Sequence, residues 1–261
     1  INTVSKVLNK KPYYTKEVEQ KVLQAISELG YIVNLNAAGL RSGSTRTVAI
    51  IFDDIASPFY SYMTDAIAKR FDAAGYDTVI FSNYGRNAYV DEALLRRVLA
   101  RKPDGIMSFL EPSPETVRLI RRHGVPFLIF GRCGEKYGLP SVHADTEVGG
   151  RIAAEHLFER NYTHTAFVGS EAGIGVGEDR LRGYAKVLEE HGIALADTPV
   201  LYVKELGYEK VAQELLRANV NGIFCYSDII AFKVISQLKK AGKIVGKDYG
   251  IVGYDNIQSL L

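Results

Sequence analysis

The chain has 261 residues, of which 47% are hydrophobic and 24% charged, and its formal net charge is +2 at pH 7. No apolar run approaches the roughly 18 residues of a membrane-spanning helix, and the first residues lack the apolar core and cleavage site of a signal peptide. We therefore expect a cytoplasmic protein with no membrane partner. Cys133 and Cys225 are far apart and lack CxxC spacing, which favours two reduced thiols over a disulfide.

The positive charge is concentrated near the N-terminus. Residues 1–46 contain seven Lys or Arg and three Glu, a formal charge of +4, whereas the remainder contains 25 basic and 27 acidic residues. A small basic module on a near-neutral body indicates a polyanionic partner for that module. A solvated helix with a few extra lysines fits the charge equally well.

Two short helices are predicted in this basic module. Residues 16–29 have apolar side chains at helical spacing, with Thr15 as the N-cap and Gly30 at the C-terminal end. Residues 3–8 form a second, shorter helix, and Pro12 lies in the turn between the two. The buried side of the shorter helix consists of Val4, Val7 and Leu8.

From Thr47 onward, apolar strands alternate with helices, which is typical of an α/β protein. The predicted strands are 48–52, 78–81, 105–109, 127–130, 165–168, 199–203, 222–226 and 250–253. The predicted helices are 58–74, 89–101, 113–122, 145–160, 179–191, 207–217 and 228–241. This alternation predicts parallel, doubly wound sheets covered on both faces. Eight strands favour two similar subdomains, with the boundary in GLPSVHADTEVGGR, where Asp145 or Thr146 begins a helix.

The sequence contains no group of residues that predicts an enzyme. The Gly-rich EAGIGVGEDR lacks the G-K-[ST] of a phosphate loop, and Glu178 stands where GxGxxG requires its third glycine. The histidines have no metal-ligand spacing, and there is no GxSxG motif. Asp53 and Asp54 are adjacent on an extended segment and point to opposite faces. We therefore expect no catalysis, no metal and no cofactor.

The segment TVSKVLNKKPYYTKEVEQKVLQAISELGYIVNLNAAGLRSGSTRTVAIIF resembles the headpiece and hinge of the LacI/GalR family of bacterial transcription regulators. The matching positions are Thr3, Val4, Ser5, Val7, Leu8, Asn9, Glu28 to Tyr31, Asn34, Ala37, Leu40, Arg46 and Thr47. The resemblance continues in order through ASPFY, DRLRGY, YSDIIAFKVI and GIVGYDNI, and so covers essentially the whole chain.

The resemblance implies a partial helix-turn-helix headpiece at 1–33 and a hinge at 34–46. In this family the recognition helix enters the major groove of a palindromic operator. The positions implied to contact DNA are Ile1, Asn2, Thr3, Ser5, Lys6 and Asn9 in the headpiece, and Asn34, Ala37 and Leu40 in the hinge. Asn and Lys can bond base edges, hydroxyls can bond phosphates, and a leucine can act as a wedge in the minor groove.

For the body, the resemblance implies a periplasmic-binding-protein-like core whose two subdomains, 47–142 and 143–253, close on a small effector. Residues 254–261 would begin a crossover back to the first subdomain. The implied effector contacts are Phe59, Arg132, Arg180 and Asp228, with Tyr202 as a weaker candidate for a stacking wall. Arg and Asp together bind vicinal hydroxyls bidentately, which suits a sugar-like polyol.

The residues alone leave other roles open for two of these side chains. Arg180 could form a salt bridge with Asp179 or Glu178, and Asp228 could be a simple helix N-cap.

The function that the resemblance implies is a homodimeric, operator-binding regulator, usually a repressor, whose DNA affinity is set by a sugar-like effector. Dimerisation follows from the symmetry of operator half-sites, and helices 58–74 and 89–101 are expected at the dimer face. The alternatives are a sugar-binding receptor without DNA function and an enzyme of the doubly wound class. The chain begins inside the predicted recognition helix and stops after GYDNIQSLL, so the resemblance also predicts further residues beyond both ends.

Overall fold

The computed structural model describes residues 2–8, 12, 14–32, 43–53, 57–84, 89–173 and 175–257. The basic module contains the two predicted helices, α1 (Asn2–Leu8) and α2 (Lys16–Glu28). Thr15 is the N-cap of α2, since its hydroxyl accepts a hydrogen bond of 3.3 Å from the backbone N–H of Val18. Val7 is buried, whereas Val4 is 36% exposed and no residue of α2 is buried. The helices are confirmed, and their role as a DNA-binding headpiece stays a prediction.

The first sheet follows this module. Its strands are β1 (Thr47–Phe52), β2 (Asp77–Ser82), β4 (Gly105–Ser108), β6 (Phe127–Phe130) and β7 (Ser141–Val142). They are parallel and lie in the order β2-β1-β4-β6-β7. Two short strands, β3 (Tyr89–Val90) and β5 (Glu111–Pro112), pair beside this sheet.

Helices cover both faces of the first sheet because β1 is apolar on both sides. Helix α3 (Pro58–Ala73) packs on Ile50 and Phe52. Helices α4 (Glu92–Leu99) and α5 (Pro114–His123) pack on the opposite face, against Ala49 and Ile51. Alternate strand residues point to opposite faces, so the uninterrupted apolar run VAIIF supplies both cores.

The second sheet repeats this arrangement. Its parallel strands are β8 (Thr165–Gly169), β9 (Val200–Tyr202), β10 (Gly222–Cys225) and β11 (Gly250–Val252), in the order β11-β10-β8-β9. The flanking helices are α6 (Thr146–Glu159), α7 (Gly175–Glu190), α8 (Val203–Arg217) and α9 (Asp228–Lys240). Helices α6 and α7 pack on one face, and α8 and α9 pack on the other. The predicted α/β class with two doubly wound subdomains is confirmed.

Two glycines, Gly150 and Gly183, allow α6 and α7 to lie unusually close together. A Cβ on Gly150 would overlap the backbone carbonyl of Arg180, and a Cβ on Gly183 would overlap the backbone carbonyl of Glu147. A Cβ on Gly149 would meet the hydroxyl of Tyr254. This glycine seam therefore sets the position of the α7 backbone at Arg180.

The structure differs from the sequence predictions in a few places. Helix α7 begins at Gly175 rather than at 179. The sequence predicts the later start because glycines with weak helix propensity occupy the first turn. Helix α8 begins at Val203, and Gly207 forms a kink with a φ of 76°. The strands β3, β5 and β7 have two residues each, which is too short for a sequence pattern.

Candidate functional site: a polar cleft between two subdomains

The carboxyl ends of both sheets face one cleft. Tyr60, on α3 of the first subdomain, lies near groups of the second subdomain. Burial raises the pKa of Tyr60 to about 12, and the nearby Tyr226 adds to the rise. Asp53 and Asp255 also raise this pKa, whereas Arg132 lowers it. Tyr226 and Asp255 belong to the second subdomain, so both subdomains contribute charged and aromatic groups to the same enclosed space.

Arg180 on α7 is the buried cation of this cleft, with only 6% of its surface exposed. Its guanidinium lies 3.5 Å from the ring centroid of Tyr254 and 4.6 Å from that of Tyr226. One guanidinium nitrogen donates to the backbone carbonyl of Tyr226. The Nε–H is buried and has no hydrogen-bond partner within the described residues. A buried, unsatisfied donor between two aromatic rings is a ready contact for an oxygen of a bound ligand.

Asp255 is the carboxylate that accompanies Arg180, and sequence reasoning missed it. Its Oδ1 lies 3.7 Å from Nη2 of Arg180, and its side chain is 13% exposed. Burial raises its pKa, the charge of Arg180 opposes that rise, and Asp228 adds to it. Its backbone has a φ of 94°, a region that few non-glycine residues adopt. Its signal in the sequence is the acidic residue of GYDNI, directly after a strand.

Asp228 lies at the first position of α9, but its carboxylate faces the segment that contains Asp255. Its Oδ2 accepts a hydrogen bond of 2.6 Å from the backbone N–H of Ile257. Its backbone N–H donates to the carbonyl of Tyr254 at 2.9 Å. The N-cap of α9 is Ser227, not Asp228. A direct effector contact by Asp228 stays a prediction, and its observed contacts hold the 254–257 turn in place.

The salt bridge considered for Arg180 with its sequence neighbours is not formed. Asp179 pairs with Arg182, and the carboxylate of Glu178 accepts a hydrogen bond of 2.8 Å from the backbone N–H of Gly173.

The first subdomain contributes an aromatic wall. Phe59 is half-buried and lies 5.5 Å from Tyr60 in an edge-on arrangement. Tyr60 stacks on Phe52 at 5.8 Å, and Phe109 lies 5.4 Å from Tyr60. Tyr60 of this wall is close enough to Tyr226, one of the two rings beside Arg180, for Tyr226 to raise its pKa.

Arg132 follows β6 and reaches across the mouth of the cleft. Its Nε donates to the carbonyl of Phe109 at 3.2 Å, and a Cβ on Gly175 would meet its guanidinium. Its neighbour Glu111 accepts hydrogen bonds from Lys136 at 2.9 Å and from Tyr137 at 2.7 Å. Burial opposes the ionisation of Glu111, but these bonds hold its pKa below the usual value. Arg132 therefore links the first subdomain to the start of α7.

Two cavities open on either side of Arg132. The first, of about 720 Å³, extends from Arg132 to Asp179 and Arg182. The second, of about 640 Å³, extends from Arg132 towards Tyr89 and Tyr137. Both are large enough to admit a small ligand.

Tyr202 lies at the end of β9, beside Gly169, where its ring occupies the space that a Cβ would fill. Burial raises its pKa, and the nearby Glu178 contributes to the rise. Tyr202 thus lies near Glu178, which is in the first turn of α7 and two positions before Arg180 in the sequence.

Of the positions implied to contact DNA, Thr3 and Lys6 are exposed on α1 and Ser5 is half-buried. Asn2 lies in the same helix. The remaining positions lie outside the described residues: Ile1, Asn9, Asn34, Ala37 and Leu40.

Asp104, in the loop before β4, anchors the linker (residues 44–46) between the basic module and the core. Its carboxylate accepts hydrogen bonds from the Ser44 hydroxyl at 2.5 Å and from the backbone N–H groups of Thr45 and Arg46 at 2.8 and 3.0 Å. The Thr45 hydroxyl donates to the carbonyl of Lys102 at 2.8 Å. Sequence reasoning also missed this anchor, because Asp104 lies 58 to 60 residues from its partners.

We expect Asp104→Asn to loosen the linker, because an amide replaces a charged acceptor. Burial opposes ionisation, but the bonds from Ser44, Thr45 and Arg46 lower the pKa of Asp104. Its stabilising contribution is therefore present at pH values above the usual 3.8 and is lost as the pH falls through the lowered pKa. The expected loss at neutral pH is about 1 kcal/mol, since water screens this site. Urea unfolding of the wild type and of Asp104→Asn at pH 7 and pH 3 measures this loss. An equal difference in unfolding free energy between the two proteins at both pH values would contradict the prediction.

Within the described residues, no three His, Cys, Asp or Glu side chains form a group that could hold a metal ion. In the same part of the chain, no helix has the length and apolarity that crossing a membrane requires. Both cysteines are free thiols, Cys133 exposed and Cys225 buried.

Two parallel α/β subdomains that enclose a polar, aromatic cleft define a periplasmic-binding-protein-like effector domain. Residues 48–261 match the family model described as a periplasmic binding protein domain. The ribose operon repressor of Halalkalibacterium halodurans is 31% identical over 263 residues, covering 98% of this chain and 77% of the repressor.

Solved structures share the fold. A LacI family transcriptional regulator from Enterococcus faecium, solved with bound ribose, has 25% identity and a TM-score of 0.72, covering 81% of this chain and 78% of that one. The lac repressor dimer bound to operator is 20% identical and has a TM-score of 0.82, and the match covers 98% of this chain and 78% of the repressor chain. At this identity the similarity supports the fold alone. The chain belongs to the LacI/GalR family of transcription regulators, and the relatives named here are regulators rather than enzymes.

Proposed function

We propose that this protein is a cytoplasmic repressor without enzymatic activity, which binds a palindromic operator as a homodimer. A sugar-like effector held in the cleft sets its operator affinity. The observation that carries the effector role is the buried Arg180, whose Nε–H has no partner in the described residues and whose guanidinium is flanked by Asp255. The ribose operon repressor among the relatives and the bound ribose of the Enterococcus structure favour a pentose as the first ligand to test.

The proposed recognition uses the two polar groups of the cleft and its aromatic walls. Arg180 donates to one ring hydroxyl of the sugar, and Asp255 accepts from an adjacent one, since vicinal hydroxyls can serve both groups. Arg132 closes the mouth, and the rings of Phe59 and Tyr60 cover the apolar face of the sugar. Tyr202 packs near the first turn of α7, and Asp228 holds the turn that contains Asp255, so both residues position the site.

Coupling to DNA follows from the connections between the parts. The effector contacts side chains of both subdomains, so binding changes the balance between open and closed clefts. The linker is held by Asp104 of the first subdomain, so a rotation of that subdomain moves the linker. We propose the corresponding division into a headpiece (1–33), a hinge (34–46), two core subdomains (47–142 and 143–253) and the start of a crossover (254–261).

The homodimer proposal is supported by exposed apolar groups on the first subdomain. Strand β2 is at the edge of its sheet, where Val79 and Ile80 are 36% and 42% exposed. Tyr62 on the adjacent α3 is 54% exposed. An exposed apolar edge of this kind is suited to burial against a second copy of the chain.

DNA recognition is proposed for the headpiece and hinge. Asn2 and Lys6, with Ile1, are assigned to base edges; Thr3, Ser5 and Asn9 to phosphates or base edges; and Asn34, Ala37 and Leu40 to the hinge contact with the minor groove.

The test is a fluorescence anisotropy titration of palindromic duplexes that share a central C–G step and have randomised flanks. It is run at several salt concentrations, with and without ribose and a panel of other sugars. We expect tight binding with a steep salt dependence that one sugar changes. Specific DNA binding that no sugar changes would reject the sugar effector. Sugar binding without specific DNA binding would instead favour the receptor alternative.

We expect Gly39→Ala to tighten operator binding about two- to fivefold. Gly39 directly precedes Leu40 in the proposed hinge helix, and glycine costs roughly 0.5–1 kcal/mol against alanine inside a helix. Alanine would make the hinge more helical before DNA binds. Titration of the selected duplex at fixed salt measures the change, and unchanged or weaker affinity would contradict the expectation.

A further inference from the structure

Exposed cations lie at the end of the first subdomain that is opposite the effector cleft. In parallel βα units each helix returns the chain to the amino end of the next strand, so the last turns of α3, α4 and α5 lie at this end. The residues at or just beyond these last turns are exposed, and we call them the basic rim: Arg70, Arg97, Arg101, Lys102 and Arg122.

The charge of the basic rim is not neutralised by partners. In the part of the chain that the structure describes, none of its five cations forms an ion pair with a carboxylate. The neighbouring Lys69, Arg96 and Arg118, in contrast, each pair with an acid three or four residues earlier on the same helix. The Asp104 carboxylate at this end is occupied by the linker.

The linker that leads to the DNA-binding headpiece meets the core at this same end. The Thr45 hydroxyl donates to the backbone carbonyl of Lys102, a member of the basic rim. Leu40, proposed above to contact the minor groove, is only five residues before Thr45. Five extended residues span at most about 17 Å, so the duplex is held close to this end of the core.

We propose that the basic rim contacts backbone phosphates of duplex DNA beside the site held by the headpiece. This inference rests on the proposed function, and it adds a sequence-independent term to operator affinity that arises from the core itself. Neutralising phosphates releases condensed counterions, and each contact steepens the salt dependence of binding by about 0.9 in the log–log slope. DNA is favoured over an acidic protein because the linker brings the DNA to this end.

The test compares the wild-type protein with Arg101→Gln/Lys102→Gln/Arg122→Gln. The Kd for the duplex selected above, and for a scrambled duplex of equal length, is measured between about 50 and 200 mM salt. Three contacts are lost from each protomer of the dimer, so we expect the slope of log K against log salt to become less steep by about 5. The preference for the selected duplex over the scrambled one should change less than twofold, since phosphate contacts carry no sequence information.

A matched control removes the same charge at the far end of the molecule. Lys239→Gln/Lys240→Gln/Lys243→Gln changes exposed residues at and beyond the last turn of α9, on the side of the second subdomain away from the cleft. We expect its slope to equal that of the wild type. If the two triple variants had equal salt slopes, the proposal would be overturned. The basic rim would then serve to stabilise helix ends or to bind an acidic protein partner. If the wild type itself shows no specific binding, the proposed function fails instead.

Discussion

Replacement of Arg180 by alanine is expected to abolish the effector response while leaving effector-free operator binding intact. The guanidinium is buried and lies over two tyrosine rings, and its Nε–H has no hydrogen-bond partner in the described residues. A hydrogen bond from a charged group is worth about 1.5–3 kcal/mol, so loss of the bond from Arg180 to the sugar weakens binding by about 10- to 150-fold. Calorimetric titration with the sugar that changes operator affinity in the wild type measures the loss.

Lys186→Ala provides the matched control on the same helix. Lys186 is 58% exposed, pairs with Glu147 at the surface and lines neither cavity. We expect its effector affinity to change less than threefold. The assignment of Arg180 would be wrong if Arg180→Ala, folded by circular dichroism, bound the sugar as tightly as the control.

Arg180→Ala should also change how stability depends on pH. Burial raises the pKa of Asp255, so the folded state binds a proton more readily than the unfolded state. Stability from this group therefore falls as the pH rises from 3.8 through the raised pKa. Removing the opposing charge of Arg180 raises this pKa further, so the decrease should be larger and extend to higher pH. Adding Asp255→Asn to the variant should remove the extra decrease.

Gly183→Ala is expected to destabilise the second subdomain by about 2–3 kcal/mol. The added Cβ would overlap the backbone carbonyl of Glu147 on α6, and a backbone atom cannot move aside as a flexible side chain can. The helix-propensity gain of up to about 1 kcal/mol is too small to compensate. The melting temperature should fall by about 5–10 °C, and effector affinity should weaken because the seam positions Arg180.

Gly177→Ala is the corresponding control in α7. A Cβ there meets the ring of Tyr226 at 3.5 Å, an ordinary contact, and alanine favours the helix. We expect a melting temperature equal to or above that of the wild type. If both alanine variants melted alike, close helix packing would not be the reason for glycine at 183.

Much of the fold could be predicted from the sequence, because local patterns specify it. Continuous apolar runs such as VAIIF predict the eight main strands. Thr15 is confirmed as a helix N-cap, and the helix predicted to begin at Asp145 or Thr146 begins at Thr146. The start of α7 was predicted too late, since Gly175 and Gly177 have weak helix propensity and only packing against the rest of the fold holds them in a helix.

The candidate site was predicted only in part. The family resemblance predicts Arg180, and the structure places its guanidinium beside Tyr226, Tyr254 and Asp255; its contact with an effector stays a prediction. Asp255 was not named, because its pairing with Arg180 joins residues 75 positions apart through a turn that Asp228 holds. The linker anchor Asp104 was missed for the same reason.

The sequence by itself determined the alternation of strands and helices, the family and the basic character of the N-terminal module. These properties depend on side-chain periodicity, on short motifs and on charge, all of which are local. Only the tertiary structure decided which carboxylate accompanies Arg180 and which surface receives the linker. Such pairings depend on the order in which parallel strands assemble, which brings together the ends of elements that are distant along the chain.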